Sequence, residues 1–572
     1  MLSTSTVCRR NVLQRRQYLK PLTLYWRSQR TEARALDSQE TFNGVRAFED
    51  IPEPNSFKFM YDLCTKTERF TKGFKVTERL FEELGPVYKE RWTLSPLTSV
   101  HVIEPDDIEK VFRAEGKYPR RPIVDVWLEY RKRRNYFPGL VLVDGEEWHR
   151  VRQTIAPKIM RPKIVEENIG NFNAVSKDAV ARFVKLKETC EQDDHIPDLE
   201  KELNRWSMEG KLIIAVWVHK GLTWDPTHPP PPPLLLPSLD AVETFQTRDV
   251  CVLASKKSFG FINKFNNMTS FYVTLSIKLY PQAGFIVDFT LKLFTEKKSK
   301  IMTQKAKKVK RKRDESTAKQ SVFVQYHDYS LEEAFEFCGS SLLTGLTDTS
   351  TSTLWWMYNL ARFPEVQEKV YQEIQSVLGK DNDVTPSHLA KLRYLKACLK
   401  ESMRLTPSIT GNARFLEEDV VLSGYHVPAK SLVIMESYAT TRSEKYFKDP
   451  LEFNPERWLR ESKEAHSFAN LQFGFGPRMC VGRRVAELEM YVFICKLLQR
   501  FRLEYHHEPL DLRQKLLTVP DQPVKIKFVD RLCLQWKAFH LLYKMRYILW
   551  VVALLGVCDV TKHGRHLGFF KN

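Results

Sequence analysis

The run Phe473-Gly474-Phe475-Gly476-Pro477-Arg478-Met479-Cys480-Val481-Gly482 sets a cysteine in a glycine-rich loop. An arginine stands two residues before it, and an apolar helical pattern from Arg483 to about Leu498 follows. Glycines at 474 and 476 let the backbone turn tightly beneath a flat ligand, because they accept conformations that a side chain forbids. The amides and dipole of the following helix point back at Cys480 and favour a thiolate. Arg478 is placed to bind an anion on the ligand's edge. The plain alternative is a buried thiol that packs as a small hydrophobe.

Other residues pair at helical spacing. Trp148 and Arg152 are four apart and share a helix face, and both are hydrogen-bond donors suited to a carboxylate. Glu401 and Arg404, three apart on one helix turn, can form an ion pair. The stretch from Leu331 to Arg362 reads as one long apolar helix closed by Phe363-Pro364, with Thr344-Gly345-Leu346-Thr347-Asp348-Thr349-Ser350 inside it. Lys396 and Lys400 lie beside the Glu401–Arg404 turn, and Arg483 and Arg484 follow Gly482 directly.

The cysteine loop resembles the haem-binding loop of cytochrome P450 enzymes, F-x-x-G-x-R-x-C-x-G, at every fixed position. The resemblance implies haem b as cofactor, with Cys480 as the axial ligand of its iron and Phe473 and Arg478 against the macrocycle. It implies that Trp148, Arg152 and Arg414 bind haem propionates. Glu401 and Arg404 match the family's E-x-x-R, and Phe453 to Trp458 matches its P-E-R-F/W element, so Glu401, Arg404 and Arg457 are expected as a buried structural triad. The central helix is similar to the family's A/G-G-x-D/E-T-T/S, in which an acid and an alcohol relay protons. This chain has one extra residue between Gly345 and Asp348. A one-residue shift gives Asp348 and Thr349 those roles; without it Thr347 takes the acid position and Asp348 the alcohol position. Asp348 and Thr349 are the expected pair.

Arg483 and Arg484, with Ala486 and Glu487, look like the mitochondrial signature G-R-R-x-A-E. Together with Lys396 and Lys400 they imply a cationic docking face for an acidic ferredoxin, itself reduced by an NADPH-dependent reductase. A solvated charged surface is the alternative. The implied activity is monooxygenation of a lipophilic, sterol-like substrate with dioxygen. A haem-thiolate isomerase or dehydratase that needs no electron donor, and a non-catalytic haem-binding protein, are the rivals.

These motifs sit in a chain of 572 residues with a formal net charge of +19, which suits acidic partners: anionic lipid, acidic protein or nucleic acid. The family resemblance narrows these to a ferredoxin and peripheral membrane association, with no nucleic acid. Ten cysteines without regular spacing form neither a disulfide framework nor a zinc pattern and point to a reducing compartment. Residues 1–31 hold seven Lys and Arg side chains and no acid, the composition of a mitochondrial transit peptide, and contain no apolar run of the ~20 residues an anchor needs. The expected location is the matrix face of the inner mitochondrial membrane.

The implied architecture is a mainly α helical prism with a small β-rich lobe: transit peptide over 1–40, a cytochrome P450 domain over 45–531, and an extension of unassigned role over 532–572. Strands are expected at 100–103, and at 420–422 and 431–435 in one small sheet. The family resemblance fails over 211–325. Leu203 to Glu209 looks like the start of a family helix, but five consecutive prolines from Pro229 cannot continue one. That run reads as a polyproline II docking site, a disordered insertion or translated intron. Phe261, Phe265, Phe271 and Tyr272 suit a membrane-facing lid or core packing, and the basic run 297–313 a lipid-binding patch, a nuclear signal or a solvated face.

Overall fold

The computed structural model describes residues 44–55, 71–91, 98–122, 139–189, 195–220, 331–459, 466–515 and 517–531. The basic leader, the proline run, residues 261–272 and 297–313 and the extension over 532–572 lie outside them. In chain order the first elements are α1 (Gly73–Leu84), β1 (Val87–Arg91), β2 (Thr98–Val102), α2 (Pro105–Arg113), α3 (Gly145–Ile159), α4 (Pro162–Glu166), α5 (Ile169–Thr189) and α6 (Leu199–Lys220). Next come α7 (Leu331–Arg362), α8 (Pro364–Leu378), α9 (Pro386–Lys391), α10 (Arg393–Leu405), β3 (Asn412–Phe415), β4 (Val420–Leu422), β5 (Tyr425–Val427), β6 (Leu432–Met435) and α11 (Ser437–Arg442). The chain continues with α12 (Arg483–Arg500), β7 (Phe501–Glu504), β8 (Leu512–Gln514), β9 (Thr518–Pro520) and β10 (Lys527–Asp530).

α7 is the central element. From Leu354 to Ala361 it buries consecutive residues, Trp355, Trp356, Met357 and Tyr358 among them, so it is enclosed on every side rather than along one stripe. α6, α8 and α10 pack against it. Its tryptophans are fixed by their polar ends: Trp355 Nε1 donates to Thr518 O at 3.2 Å, and Trp356 Nε1 to Cys398 Sγ at 3.2 Å. The helix stops where expected. Phe363 is forced out of helical geometry (φ −120°, ψ 77°) by the following proline, and Pro364 then begins α8, where its missing N–H costs nothing. α2 likewise starts on Pro105 with Asp106 and Asp107 in its first turn.

The β structure surrounds a second, smaller core of Ile51, Val100, Ile108, Phe112, Val433 and Met435. Its main sheet has the order β1-β2-β6-β3, with β2 and β6 parallel (Val100 opposite Val433) and the outer pairs antiparallel. The strands at 420–422 and 431–435 do not share a sheet as expected. Ser423 and Gly424 both have positive φ, and this two-residue turn folds β4 onto β5. β6 is instead held between β2 and β3. α6 also departs from expectation, beginning at Leu199 and continuing to Lys220, past the point where the family resemblance ends. Among the described residues no helix is long and apolar enough to cross a membrane.

Candidate active site

The cysteine loop folds as its glycines require. Gly474 and Gly476 have φ of +67° and +76°, and a Cβ on Gly476 would lie 2.1 Å from Glu115 Oε1, so only glycine fits. Cys480 N donates to Phe473 O at 2.9 Å and Met479 N to Gly476 O at 3.1 Å, closing the turn. α12 begins at Arg483, as read from the sequence, with Gly482 at its N-cap. Cys480 is itself exposed although protein encloses it on a longer scale: it is reachable at the floor of an internal recess. Burial raises its thiol pKa. The Gly482 N–H and the charges of Arg152 and Arg121 oppose that shift, and Asp348 adds to it. The Gly482 N–H thus acts in the direction expected of the loop and helix, and burial acts more strongly against it. A coordinated cation deprotonates such a thiol outright.

Around this recess lies a cluster of guanidinium groups. Arg414 on β3 donates from Nε to Glu115 Oε2 at 2.6 Å. Arg478 pairs with Asp144 and donates to Pro119 O at 2.6 Å and Val143 O at 2.5 Å. Arg121 donates to Val141 O at 3.0 Å, and Arg152 on α3 reaches Met160 Sδ at 3.4 Å. Trp148 is buried beneath Arg478, whose guanidinium carbon lies 4.9 Å from the indole ring centre. Arg478 is thus more occupied with protein partners than expected, but its buried Nε has none. Burial lowers the pKa of Arg121 to about 10, and Arg478 and Arg414 add to the shift; Arg152 and Arg478 are also lowered, chiefly by burial. Four guanidiniums (Arg121, Arg152, Arg414, Arg478) face two carboxylates (Glu115, Asp144), which leaves two positive charges. Uncompensated buried charge is strongly unfavourable, so the cluster is built for a dianion.

Sequence reasoning gave no role to Arg121 or Glu115. The available signal was the pair of arginines directly after Pro119. Glu115 meets Arg414 across 299 positions, which no local pattern shows.

α7 brings Asp348 close enough to Cys480 to add to the rise of its thiol pKa, and Lys211 lies close enough to Asp348 to act on its carboxyl. Burial raises the Asp348 pKa to about 6, and Lys211 moderates the rise. Thr349 is turned differently. Its hydroxyl donates to Gly345 O at 3.0 Å and accepts from Lys211 Nζ at 2.9 Å. Lys211 also donates to Ser207 Oγ at 2.9 Å and Glu489 Oε2 at 2.8 Å. A raised acid pKa destabilises the fold where the unfolded chain ionises first, from pH about 3.8 up to about 6, and the penalty is complete above that. Asp348→Asn should therefore raise the thermal midpoint at pH 7 and leave it unchanged at pH 3. An equal rise at both values would contradict the buried-acid assignment.

The triad forms as expected. Glu401 accepts from Arg404 Nε and Nη2, both at 2.9 Å, from Arg457 Nε at 3.0 Å, from Trp458 Nε1 at 2.8 Å and from Asn454 N at 3.0 Å. Arg404 ties the same acid to Thr441 O, Pro450 O and Glu452 O, which fixes the segment leading to the cysteine loop. Lys400 lies outside, exposed, its Nζ 3.9 Å from the centre of the Trp458 ring. Arg483 is near enough to help lower the Lys400 pKa after burial. It also pairs with Glu487 at 3.0 Å and lies over the Phe473 ring, 5.4 Å from its centre. Arg484 is exposed and Lys396 half-buried. Lys396, Lys400 and Arg483 therefore lie near one another on the cysteine-loop side.

The fold and this sulfur-centred site define a haem-thiolate protein. A family-wide sequence pattern described as Cytochrome P450 matches residues 52–528, and the chain belongs to the cytochrome P450 family. Rat "1,25-dihydroxyvitamin D(3) 24-hydroxylase, mitochondrial" is 30% identical over 491 residues, 85% of this chain and 90% of its own length. Human "25-hydroxyvitamin D-1 alpha hydroxylase, mitochondrial" is 29% identical over 87% of this chain and 96% of its own length. "Probable cytochrome P450 12a5, mitochondrial" of Drosophila melanogaster is 28% identical over 85% and 91%. The chain is a cytochrome P450 monooxygenase resembling the mitochondrial members, and the cofactor of its family is haem b bound through a cysteine thiolate. The site fits that group. Its guanidinium excess matches two propionates, and the unpartnered Arg478 Nε is a donor for one of them. Among the described residues no group of three or more His, Cys, Asp or Glu is placed to hold a metal ion.

Proposed function

We propose that Cys480 is the axial ligand of the haem and that Arg121, Arg152, Arg414 and Arg478, with Trp148, hold its propionates. The observation that carries this reading is the reachable Cys480 within a cluster of four guanidiniums and two carboxylates. Phe473 supports the loop through its carbonyl bond to Cys480 N. When bound, haem supplies the dioxygen chemistry that inserts one oxygen atom into a C–H bond and releases the other as water. The protein's share is position, protons and exclusion of water. Asp348, whose pKa is raised to about 6, can take up and release a proton close to neutral pH, and Thr349 is the alcohol beside it. Loss of a positioned acid typically costs about 10²-fold or more. Asp348→Asn should lower product formation by roughly that factor while peroxide release rises. A variant with unchanged product per NADPH would remove Asp348 from the relay.

The substrate is a lipophilic, sterol-like molecule; two relatives are named for vitamin D compounds, which are secosteroids. Electrons come from NADPH through a ferredoxin reductase and a ferredoxin that docks on Lys396, Lys400, Arg483 and Arg484. The domain reading is unchanged: a leader over 1–40, the catalytic domain over 45–531 and an extension over 532–572. The protein acts at the matrix face of the inner mitochondrial membrane, peripherally attached. Rim charges govern association rate and its salt dependence. Lys400→Glu should raise the ferredoxin concentration for half-maximal rate about tenfold and flatten its salt dependence, with the dithionite-reduced spectrum unchanged. A normal response to ferredoxin would place docking elsewhere.

A further inference from the structure

Lys211 belongs to none of the motifs that identify the family. It is the first residue after the stretch that resembles the family, yet it lies 5% exposed behind α7. Two consecutive residues of α6 fit one carboxylate on α12. Gly210 makes room, since a Cβ there would lie 2.4 Å from Glu489 Oε1, and Lys211 supplies the charge at 2.8 Å from Oε2. Glu489 is fully buried.

An ammonium has three donors and no acceptor. Lys211 spends all three, on Ser207 Oγ, Thr349 Oγ1 and Glu489 Oε2, so its head group is fixed. A hydroxyl has one proton and two lone pairs. Thr349 gives its proton to Gly345 O and one lone pair to Lys211, so it has no proton and a single lone pair left to offer another group. Among the described residues the charged groups around this pair are Lys211 from α6, Glu489 from α12 behind it, Asp348 on α7 and Cys480 across the recess.

We propose that Lys211 is a positioning residue for proton handling: held by Glu489, it clamps the Thr349 hydroxyl from behind α7 as an acceptor and so makes Asp348 the proton donor to the pocket. This rests on the reading of Asp348 and Thr349 as the relay pair.

The test replaces the ion pair rather than breaking it, because Lys211→Met alone strands Glu489 as a buried charge. The holoenzyme carrying Lys211→Met with Glu489→Leu is assayed with ferredoxin, its reductase and NADPH for peroxide released against product formed. The ratio should rise roughly tenfold, the cost of losing one charge-assisted hydrogen bond at a relay group. Lys211→Gln with Glu489→Gln, which keeps the polar shape without charge, serves if the apolar pair does not fold. Independently of turnover, Thr349→Val is measured by urea unfolding in the unmodified and Lys211→Met/Glu489→Leu backgrounds. Its midpoint shift should be large in the first and nearly absent in the second. Equal shifts in both, or an unchanged peroxide ratio while Asp348→Asn uncouples, overturn the role of Lys211 alone. Normal coupling in Asp348→Asn overturns the relay reading beneath it.

Discussion

Cys480→Ser should yield a folded protein that no longer shows the red-shifted Soret band of a thiolate-bound ferrous–carbonyl haem, and whose monooxygenase turnover is lost. The reason is the ligand field. A thiolate pushes electron density towards the iron and favours O–O cleavage, which a serine hydroxyl does not. The effect should exceed the roughly 10–100-fold cost of losing an outer-shell partner of a metal ligand. Folding should survive, because Cys480 is exposed and serine is its near isostere, with the Cys480 N to Phe473 O bond independent of the side chain. Circular dichroism and the reduced, carbon monoxide-treated spectrum on the same sample decide the matter. A serine variant with an unaltered spectrum would remove the foundation of the site assignment.

Glu401→Ala should be as severe by a different route. Glu401, Arg404 and Arg457 are buried, and the acid accepts five hydrogen bonds from four residues. Removing it leaves two guanidiniums buried without their carboxylate, a change that costs about 3–5 kcal/mol. Against a total stability of about 5–15 kcal/mol, a loss of this size removes most of the stability at the lower end of the range and about a quarter at the upper end. The measurements are the urea midpoint and the haem retained after purification; a shift no larger than that of a surface substitution would show that the triad is dispensable. Lys400→Ala makes the control: it removes a charge beside the same structure but only a stacking contact with Trp458.

What the sequence disclosed and what it concealed divide by range. The limits of α7 were legible because Pro364 and a long apolar run mark them locally. The cysteine loop was legible because glycine, arginine and cysteine must stand at fixed short spacing to turn the backbone as they do. The triad was found by combining one helical pair with a second motif. The partners of Arg414 and Lys211, by contrast, lie 299 and 278 positions away, and a lone glutamate in a helix carries no mark of them. Strand alternation announced β4 and β6 but not which neighbour each would take. Burial was hidden likewise: the helix N-terminus that favours a thiolate was legible, but the desolvation of its cysteine follows from the tertiary fold.

The parallel pairing of β2 with β6 has a bearing on how the chain reaches this state. His101 Nδ1, on β2, meets Glu436 just after β6 at 2.9 Å, across 335 positions of chain. The N-terminal hairpin of the main sheet thus has an open edge until most of the polypeptide has emerged, and closing so long a loop is entropically slow. For a nascent or translocating chain, that interval is when the unpaired edge of the strand Thr98–Val102 is exposed to self-association, so holding by a chaperone matters most there.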